Sequence, residues 1–269
     1  FIRAAMSEAA RACLIDMDGV LYQGEQAIAG AAGTVSWLVA SDIPHLFLTN
    51  TTSRPRSALQ EKLGRMGMDV DTGRILTPPV AASRWLAANV SGPVALFVPP
   101  ATASEFAQLE IADMGTNGQV AAVVIGDYGE RWTFDALNRA FRWLMQEPAP
   151  ALVALGMTRY WRAADGLRLD TAPFVTALEH ATGQQAVVLG KPAAPFFETA
   201  LELLGANAAE TVMVGDDIRS DIGGAQAAGI RGLLVRTGKF RPDDLSGDTR
   251  PAATLESFAG LPVWWRDPA

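Results

Sequence analysis

Short apolar runs typical of buried β-strands alternate with helix-like segments along almost the whole chain of 269 residues. The first pair is ACLIDM, a strand-like run, and GTVSWLVAS, whose apolar residues fall at helical spacing. The second pair is IPHLFLTN and SRPRSALQEKLGRMGM. Such a rhythm predicts parallel strands joined by helical crossovers that cover both faces of the sheet. We therefore expect the α/β class, with a doubly wound, mostly parallel sheet.

The pattern restarts after LTPPV, residues 76–80. Strand-like runs such as GPVALFVPP and helix-like segments such as FDALNRAFRWLMQ follow, until a third stage begins at QQAVVLGKP. That stage contains the strand-like runs ETVMVGDD and IRGLLVRTG. The C-terminal segment carries Trp264 and Trp265, which we expect to pack back on the core.

Composition narrows the location and the partners of the protein. The formal net charge is −7, which disfavours nucleic acid and anionic membranes as partners. Cys13 is the single cysteine of the sequence, so we expect a buried structural thiol and a reducing cytoplasm. No apolar run approaches the roughly 20 residues that span a bilayer. The opening segment, FIRAAMSEAARA, lacks the apolar centre of a signal peptide, and we expect the natural start at Met6.

Two acidic clusters follow strand-like runs that are far apart in the sequence. Asp16 and Asp18 close the first strand, and Asp216, Asp217 and Asp221 follow a strand of the third stage. Ligands bind at the carboxyl edge of open α/β sheets, so up to five carboxylates converge there if the two strands are neighbours. Two charges about 4 Å apart repel by roughly 4 kcal/mol at an effective dielectric near 20, which calls for protonation or a cation. Oxygen-only ligands suit Mg²⁺. For any one of these acids alone, a turn or a helix cap is the alternative.

A lysine and a polar cluster follow two other strand-like runs. Lys191 comes directly after VVLG, and its ammonium suits a phosphate, although a lysine before proline is also an ordinary surface residue. LTNTTS closes the second strand with Thr49 and Asn50. Its hydroxyls, amide and backbone N–H groups suit an oxyanion at a helix start. Simple capping of the next helix by residues 51–53 is the alternative.

The order DMDGV, LTN, GKP and GDDIRSD resembles the four motifs of the haloacid dehalogenase (HAD) superfamily of phosphohydrolases. The residues between the second and third motifs are similar to the cap of its class IIA branch. The resemblance implies a HAD-like Rossmannoid core of residues 1–77 and 188–269, with a smaller α/β cap domain inserted at 78–187. Within this branch, LGMTRYWRAADGLRLD and VRTGKFRPDD look closest to the phospholysine phosphohistidine inorganic pyrophosphate phosphatases.

The resemblance assigns roles to the acidic residues. Asp16 would be the nucleophile, and Asp18 the general acid and base, shielded from water under the cap. Mg²⁺ would be held by Asp16, by the backbone carbonyl of Asp18 and by Asp216. Asp217 and Asp221 would orient the waters of the metal ion.

The phosphate-binding groups are also implied by the resemblance. Thr49 would donate to the phosphoryl oxygens with Asn50 beside it, and Lys191 would bridge the nucleophile and the phosphate. RYWR, residues 159–162, holds aromatic and guanidinium groups suited to selecting a leaving group, or else belongs to the packing and surface of the cap. A homodimer formed through the cap is a further expectation of the resemblance.

The function implied is that of a Mg²⁺-dependent phosphohydrolase acting on small phosphorylated molecules through an aspartyl phosphate. Phosphoramidates and pyrophosphate are candidate substrates. A nucleotide, sugar or 4-nitrophenyl phosphate monoesterase remains an alternative, and so does a phosphotransferase or mutase. A third hypothesis is a non-catalytic Mg²⁺-binding module, against which the joint presence of Asp16, Asp18, Lys191 and Asp216 argues.

Overall fold

A computed structural model describes residues 9–115, 117–163 and 165–268 of the chain, and the expected start at Met6 lies outside them. In these residues the strands are β1 (Ala12–Asp16), β2 (Tyr22–Gln23), β3 (Gln26–Ala27), β4 (His45–Leu48), β5 (Ile75–Leu76), β6 (Val94–Phe97), β7 (Ala122–Ile125), β8 (Ala151–Ala154), β9 (Tyr160–Ala163), β10 (Gly166–Leu169), β11 (Val187–Val188), β12 (Thr211–Gly215), β13 (Arg231–Val235) and β14 (Ala253–Leu255). The α-helices are α1 (Ala31–Ala40), α2 (Arg56–Arg65), α3 (Pro78–Asn89), α4 (Pro100–Ala103), α5 (Phe134–Leu144), α6 (Thr171–Thr182), α7 (Ala194–Leu204), α8 (Gly224–Ala227) and α9 (Leu261–Arg266).

The first of two compact units comprises residues 9–49, 60–76 and 197–268. Its main sheet has the order β14-β13-β12-β1-β4-β5, and every neighbouring pair is parallel. All five residues of the central strand β1 are buried, because a strand covered on both faces needs a continuous apolar run rather than an alternating one. The predicted α/β class with a mostly parallel sheet is confirmed. Because the strands are parallel, their carboxyl ends lie at one edge.

The second unit comprises residues 50–59, 77–115, 117–163 and 165–196. It contains a parallel sheet with the order β11-β8-β7-β6 and a separate antiparallel hairpin, β9–β10. Its core includes an aromatic stack in which Trp132 lies between Phe97 and Phe174, with ring centroids 5.2 Å and 4.6 Å away. The inserted domain predicted from the sequence covers 78–187, and this unit contains that range together with residues 50–59, 77 and 188–196.

The segment LTPPV begins a helix, although the sequence pattern suggested only a break. Thr77 caps α3 by accepting the N–H of Val80 at 3.5 Å, and the two prolines occupy the first helical positions. Proline suits these positions because the first N–H groups of a helix have no intrahelical partner.

The structure also fixes the start of α2, which begins at Arg56. Residues 51–53 therefore precede the helix start.

The expected burial of Cys13 and the expected packing of the C-terminal tryptophans are confirmed. Cys13 is fully buried, and burial raises the pKa of its thiol far above the ordinary value. Trp264 is buried, and the ring of Trp265 packs edge-on against Trp37 at a centroid distance of 6.2 Å. Throughout residues 9–115, 117–163 and 165–268, no helix combines the length and the apolar composition that crossing a membrane requires.

Candidate functional site

The carboxyl ends of β1 and β12 meet because the two strands are neighbours, with Ile15 opposite Val214. Asp16 ends β1, and Asp216 directly follows β12. Carboxylate oxygens of Asp16, Asp216 and Asp221 all lie within 4.8 Å of one another. These residues, which we call the acidic triad, are 6%, 1% and 1% exposed. The two acidic strand ends of the sequence thus form one buried cluster.

Asp221 reaches the cluster from a helical turn, Ile218–Gly223, that follows β12. Its Oδ2 accepts the backbone N–H groups of Asp216 at 3.2 Å and Asp217 at 3.1 Å. Two such bonds fix the end of β12 and the carboxylate relative to each other. Asp221 was predicted only to orient the waters of a metal ion, and the structure places it within the buried group.

Two of the five predicted carboxylates are not part of the triad. Asp217 Oδ1 instead accepts the N–H groups of Arg219 and Ser220, both at 3.0 Å. Burial alone would raise the pKa of Asp217, but these N–H groups and the nearby Lys239 ammonium hold it below its ordinary value. Asp18 is exposed, and its backbone bridges to Tyr22.

Sequence reasoning missed a loop that packs against the triad. The backbone N–H of Lys239 donates to Asp216 Oδ2 at 2.7 Å, and the Thr237 hydroxyl donates to the carbonyl of Gly19. Gly19 and Gly238 have φ of +86° and +63°, and a Cβ on either would lie 1.9 Å or 2.0 Å from Asp216 Oδ2. Only glycine tolerates both the backbone conformation and this approach. Gly19 follows β1 and Gly238 follows β13, and these two glycines were the sequence signal for a close approach of the loop to the site.

Lys239 also brings a positive charge to the edge of the triad. Its ammonium lies 3.5 Å from Asp217 Oδ2, and its side chain is largely exposed. Partial burial would lower the pKa of Lys239, but the surrounding carboxylates, Asp216 first and Asp217 second, raise it above the ordinary value. The motif VRTGKFRPDD contains this lysine, yet no role for it was predicted.

The predicted phosphate-binding residues lie at strand ends in the two units. Thr49 is buried in the first unit directly after β4, and its N–H donates to Leu76 O at 3.2 Å. In the second unit, Asn50 Nδ2 donates to the carbonyl of Lys191 at 2.9 Å, and the N–H of Lys191 donates to Asn50 Oδ1 at 2.8 Å. Lys191 is 6% exposed, so it is not an ordinary surface lysine.

The candidate selectivity residues lie on the hairpin of the second unit. Tyr160 and Trp161 belong to β9 and are 53% and 43% exposed, and the flanking Arg159 and Arg162 are also exposed. The Arg159 guanidinium lies 6.0 Å from the centre of the Tyr160 ring. These groups are therefore surface groups of their unit rather than part of its core.

The donor set of the acidic triad fits a hard divalent cation. It offers carboxylate oxygens from three buried residues, the ligand type that Mg²⁺ and Ca²⁺ prefer. At an effective dielectric near 20, each pair of charges about 4 Å apart repels by roughly 4 kcal/mol. A bound cation removes this repulsion.

Two family models match the chain. The model described as haloacid dehalogenase-like hydrolase matches residues 13–112, and a HAD-hydrolase-like model matches residues 188–261. The first match contains β1 with Asp16 and the segment with Thr49 and Asn50. The second contains Lys191 and the loop after β12.

Curated relatives cover most of the chain. Human phospholysine phosphohistidine inorganic pyrophosphate phosphatase is 40% identical over 238 residues, which are 87% of this chain and 86% of the relative. The bovine haloacid dehalogenase-like hydrolase domain-containing protein 2 is 39% identical over 255 residues, 94% of this chain and 95% of the relative.

Solved structures share the fold. A hypothetical protein from Pyrococcus horikoshii OT3 superposes with a TM-score of 0.85 at 27% identity, covering 94% of this chain and 98% of that one. The p-nitrophenyl phosphatase from Archaeoglobus fulgidus gives a TM-score of 0.84 at 24% identity, with 94% of this chain and 98% of that one covered.

Proposed function

The chain belongs to the haloacid dehalogenase-like hydrolase family, and from this premise we propose that it is a Mg²⁺-dependent phosphatase that forms an aspartyl phosphate. It is a HAD-type phosphatase for small phosphorylated molecules, in keeping with its curated relatives. The proposal rests above all on one observation, the meeting of Asp16, Asp216 and Asp221 within 4.8 Å at the carboxyl edge of the sheet.

The nucleophile we propose is Asp16. One of its carboxylate oxygens attacks phosphorus, and the bond from phosphorus to the leaving group breaks, which leaves an aspartyl phosphate. Asp16, Asp216 and the Asp18 backbone carbonyl would hold Mg²⁺, with Asp217 and Asp221 orienting its waters. When bound, the cation offsets the negative charge of the carboxylates and of the phosphate.

Asp18 moves the protons in this proposal. Its carboxyl group first gives a proton to the departing oxygen or nitrogen of the leaving group. It then takes a proton from the water that attacks phosphorus and breaks the bond to Asp16. Exposure of Asp18 leaves it accessible to both the leaving group and water.

In this proposal, Thr49 and Lys191 bind the phosphate. The Thr49 hydroxyl donates to the phosphoryl oxygens, and the Lys191 ammonium offsets the charge that attack by a carboxylate adds. We propose residues 159–162 as the groups that select the leaving group. We propose phosphoramidates and pyrophosphate as substrates because the human relative at 40% identity is named for them.

The alternative functions of the same site would give different products. A nucleotide, sugar or 4-nitrophenyl phosphate monoesterase releases phosphate from esters alone, and a phosphotransferase or mutase passes the phosphoryl group to an acceptor other than water. A homodimer through the second unit and a cytoplasmic location also belong to the proposal. Size-exclusion chromatography with light scattering reads the oligomeric state.

A substrate panel tests the proposed function directly. Phospholysine, phosphohistidine, pyrophosphate, p-nitrophenyl phosphate, a nucleotide and a sugar phosphate are incubated without acceptor, with Mg²⁺ or with EDTA, and released phosphate is measured with malachite green. We expect release with Mg²⁺ and a loss of at least about tenfold with EDTA. Equal rates with EDTA contradict the metal assignment, and phosphate transfer only in the presence of an acceptor contradicts hydrolysis.

The variant Asp18→Asn separates P–N from P–O chemistry. A phosphoramidate leaves readily once its nitrogen is protonated, so its cleavage depends less on a general acid than that of an alkyl ester does. Since general acid–base catalysis contributes about 10²–10⁴-fold, we expect the variant to slow an alkyl phosphate at least about tenfold more than phospholysine. Single-turnover rates on the two substrates check this ratio, and equal slowing of both would remove the distinction.

A further inference from the structure

The side chain of Asn50 holds both backbone polar groups of Lys191. Its Nδ2 donates to the carbonyl of Lys191 at 2.9 Å, and its Oδ1 accepts the N–H of Lys191 at 2.8 Å. Both distances lie within the ordinary range for N–H···O hydrogen bonds. The amide therefore binds Lys191 in the way that a neighbouring β-strand would.

This pairing differs from the role that the family resemblance suggested for Asn50. A phosphate offers acceptor oxygens, so only the amide N–H groups of Asn50 can bind one. One of those donors is already bound to Lys191, and Oδ1 is engaged with the N–H of the same residue. The hydrogen-bonding groups that define the orientation of the amide are thus directed at the protein backbone.

The chain before Lys191 is held from a second side. The N–H of Leu189 donates to Ala154 O at 2.8 Å, which continues the pairing of β11 with β8. A Cβ on Gly190 would lie 2.6 Å from the carbonyl oxygen of Leu155 and 3.3 Å from Asn50 Oδ1. Residues 189–191 therefore run in a narrow space between the end of β8 and the Asn50 amide.

We propose that Asn50 is a positioning residue that acts through Lys191 and fixes where the lysine ammonium is placed. This inference rests on the proposed function, in which Lys191 binds the phosphoryl group. Asn50 directly follows Thr49, the other proposed phosphate ligand, so the amide also ties Lys191 to that point of the chain. Groups that stabilise a developing charge act efficiently only when they are held in place beforehand.

A double-mutant cycle on Asn50 and Lys191 tests the inference. The dissociation constant for inorganic phosphate is measured by calorimetry, with Mg²⁺ present, for the wild type, Asn50→Ala, Lys191→Met and the double variant. We expect Asn50→Ala to weaken binding about tenfold when Lys191 is present, because the lysine side chain must then be ordered when phosphate binds. With methionine at 191, the same change should have no further effect. Effects that multiply across the cycle mean that Asn50 binds the phosphate itself and overturn the inference.

A second readout does not depend on phosphatase activity. Asn50→Ala removes the acceptor of the Lys191 N–H, so hydrogen exchange of that amide should become faster, while Asn50→Asp keeps an acceptor and should preserve protection. Asn50→Asp is still expected to weaken phosphate binding because it loses the donor to the Lys191 carbonyl. Unchanged exchange in Asn50→Ala overturns the inference even if the wild type proves to be no phosphatase.

The matched control is Asn89→Ala. Asn89 also donates from its side chain to a backbone carbonyl of the second unit, that of Trp85 at 2.8 Å. We expect this variant to bind phosphate like the wild type and to leave Lys191 exchange unchanged. Weaker phosphate binding in Asn89→Ala would mean that loss of any such bond loosens the unit, and would overturn a specific role for Asn50.

Discussion

Replacing Asp16 by Asn should abolish phosphate release while leaving the protein at least as stable as the wild type. An amide cannot form the acyl phosphate, and loss of a nucleophile can cost about 10⁶-fold, so we expect a fall of at least about 10³-fold in kcat. The acidic triad also loses one of its three buried charges. Because neighbouring charges at about 4 Å repel by roughly 4 kcal/mol at a dielectric near 20, the melting temperature in EDTA should rise.

A fall in kcat together with a rise in melting temperature distinguishes the loss of a catalytic group from misfolding. Activity is measured on p-nitrophenyl phosphate with Mg²⁺, and thermal unfolding is followed by circular dichroism in EDTA. Asp69→Asn, an exposed aspartate of the same unit, is the control and should change neither quantity. Retention of more than a few per cent of activity in Asp16→Asn contradicts a covalent role for Asp16, and a lower melting temperature contradicts the repulsion argument.

A methyl group at Gly238 should disable the site as strongly as removal of a ligand. The added Cβ would lie 2.0 Å from Asp216 Oδ2 and 2.6 Å from the Gly19 Cα, so the loop or the carboxylate must move. Displacement of a reacting group by about 1 Å can cost about 10²-fold in rate, and we expect a loss of that size for Gly238→Ala. Its Mg²⁺ affinity should fall as well, because Asp216 belongs to the acidic triad.

Gly205 provides the matched control for this substitution. Its φ is +64°, against +63° for Gly238, and nothing lies within 4 Å of a Cβ added there. Alanine at either position costs about 1–2 kcal/mol for a left-handed backbone. Gly238→Ala must also displace the loop or the carboxylate, so it should lose more stability in urea than Gly205→Ala. Only Gly238→Ala should lose activity and Mg²⁺ affinity, as measured by calorimetry. Equal activities of the two variants would refute a steric role of Gly238 beside Asp216.

Most strands of the two parallel sheets and most helices were predictable from the apolar pattern of the sequence. The run ACLI reads as a buried strand because its apolar residues are continuous, and the structure buries all five residues of β1. Helix α3 was missed because two prolines usually signal a break, whereas Thr77 supplies the cap that lets them begin a helix. The hairpin β9–β10 was also missed, since its exposed residues give no burial pattern to detect.

The sequence allowed us to predict that an acidic cluster forms, but not which of the later aspartates belongs to it. Strand ends placed Asp16 and Asp216 at one edge, because parallel strands share their direction. Which of the later acids turns inward depends on the helical turn after β12, whose backbone bonds direct Asp217 to Arg219 and Ser220. The contribution of Gly238 depends on a contact with Asp216, which no local pattern encodes.

The position of β1 between β4 and β12 also affects how the chain folds during its synthesis. β1 meets one neighbour, β4, soon after synthesis, but Ile15 faces Val214, which the ribosome adds far later. Until then a nascent chain presents a bare edge of its central strand, a surface prone to pairing with other chains and one that chaperones shield. Such a chain also lacks Asp216 and Asp221, so translation must pass Asp221 before any molecule can assemble the acidic triad.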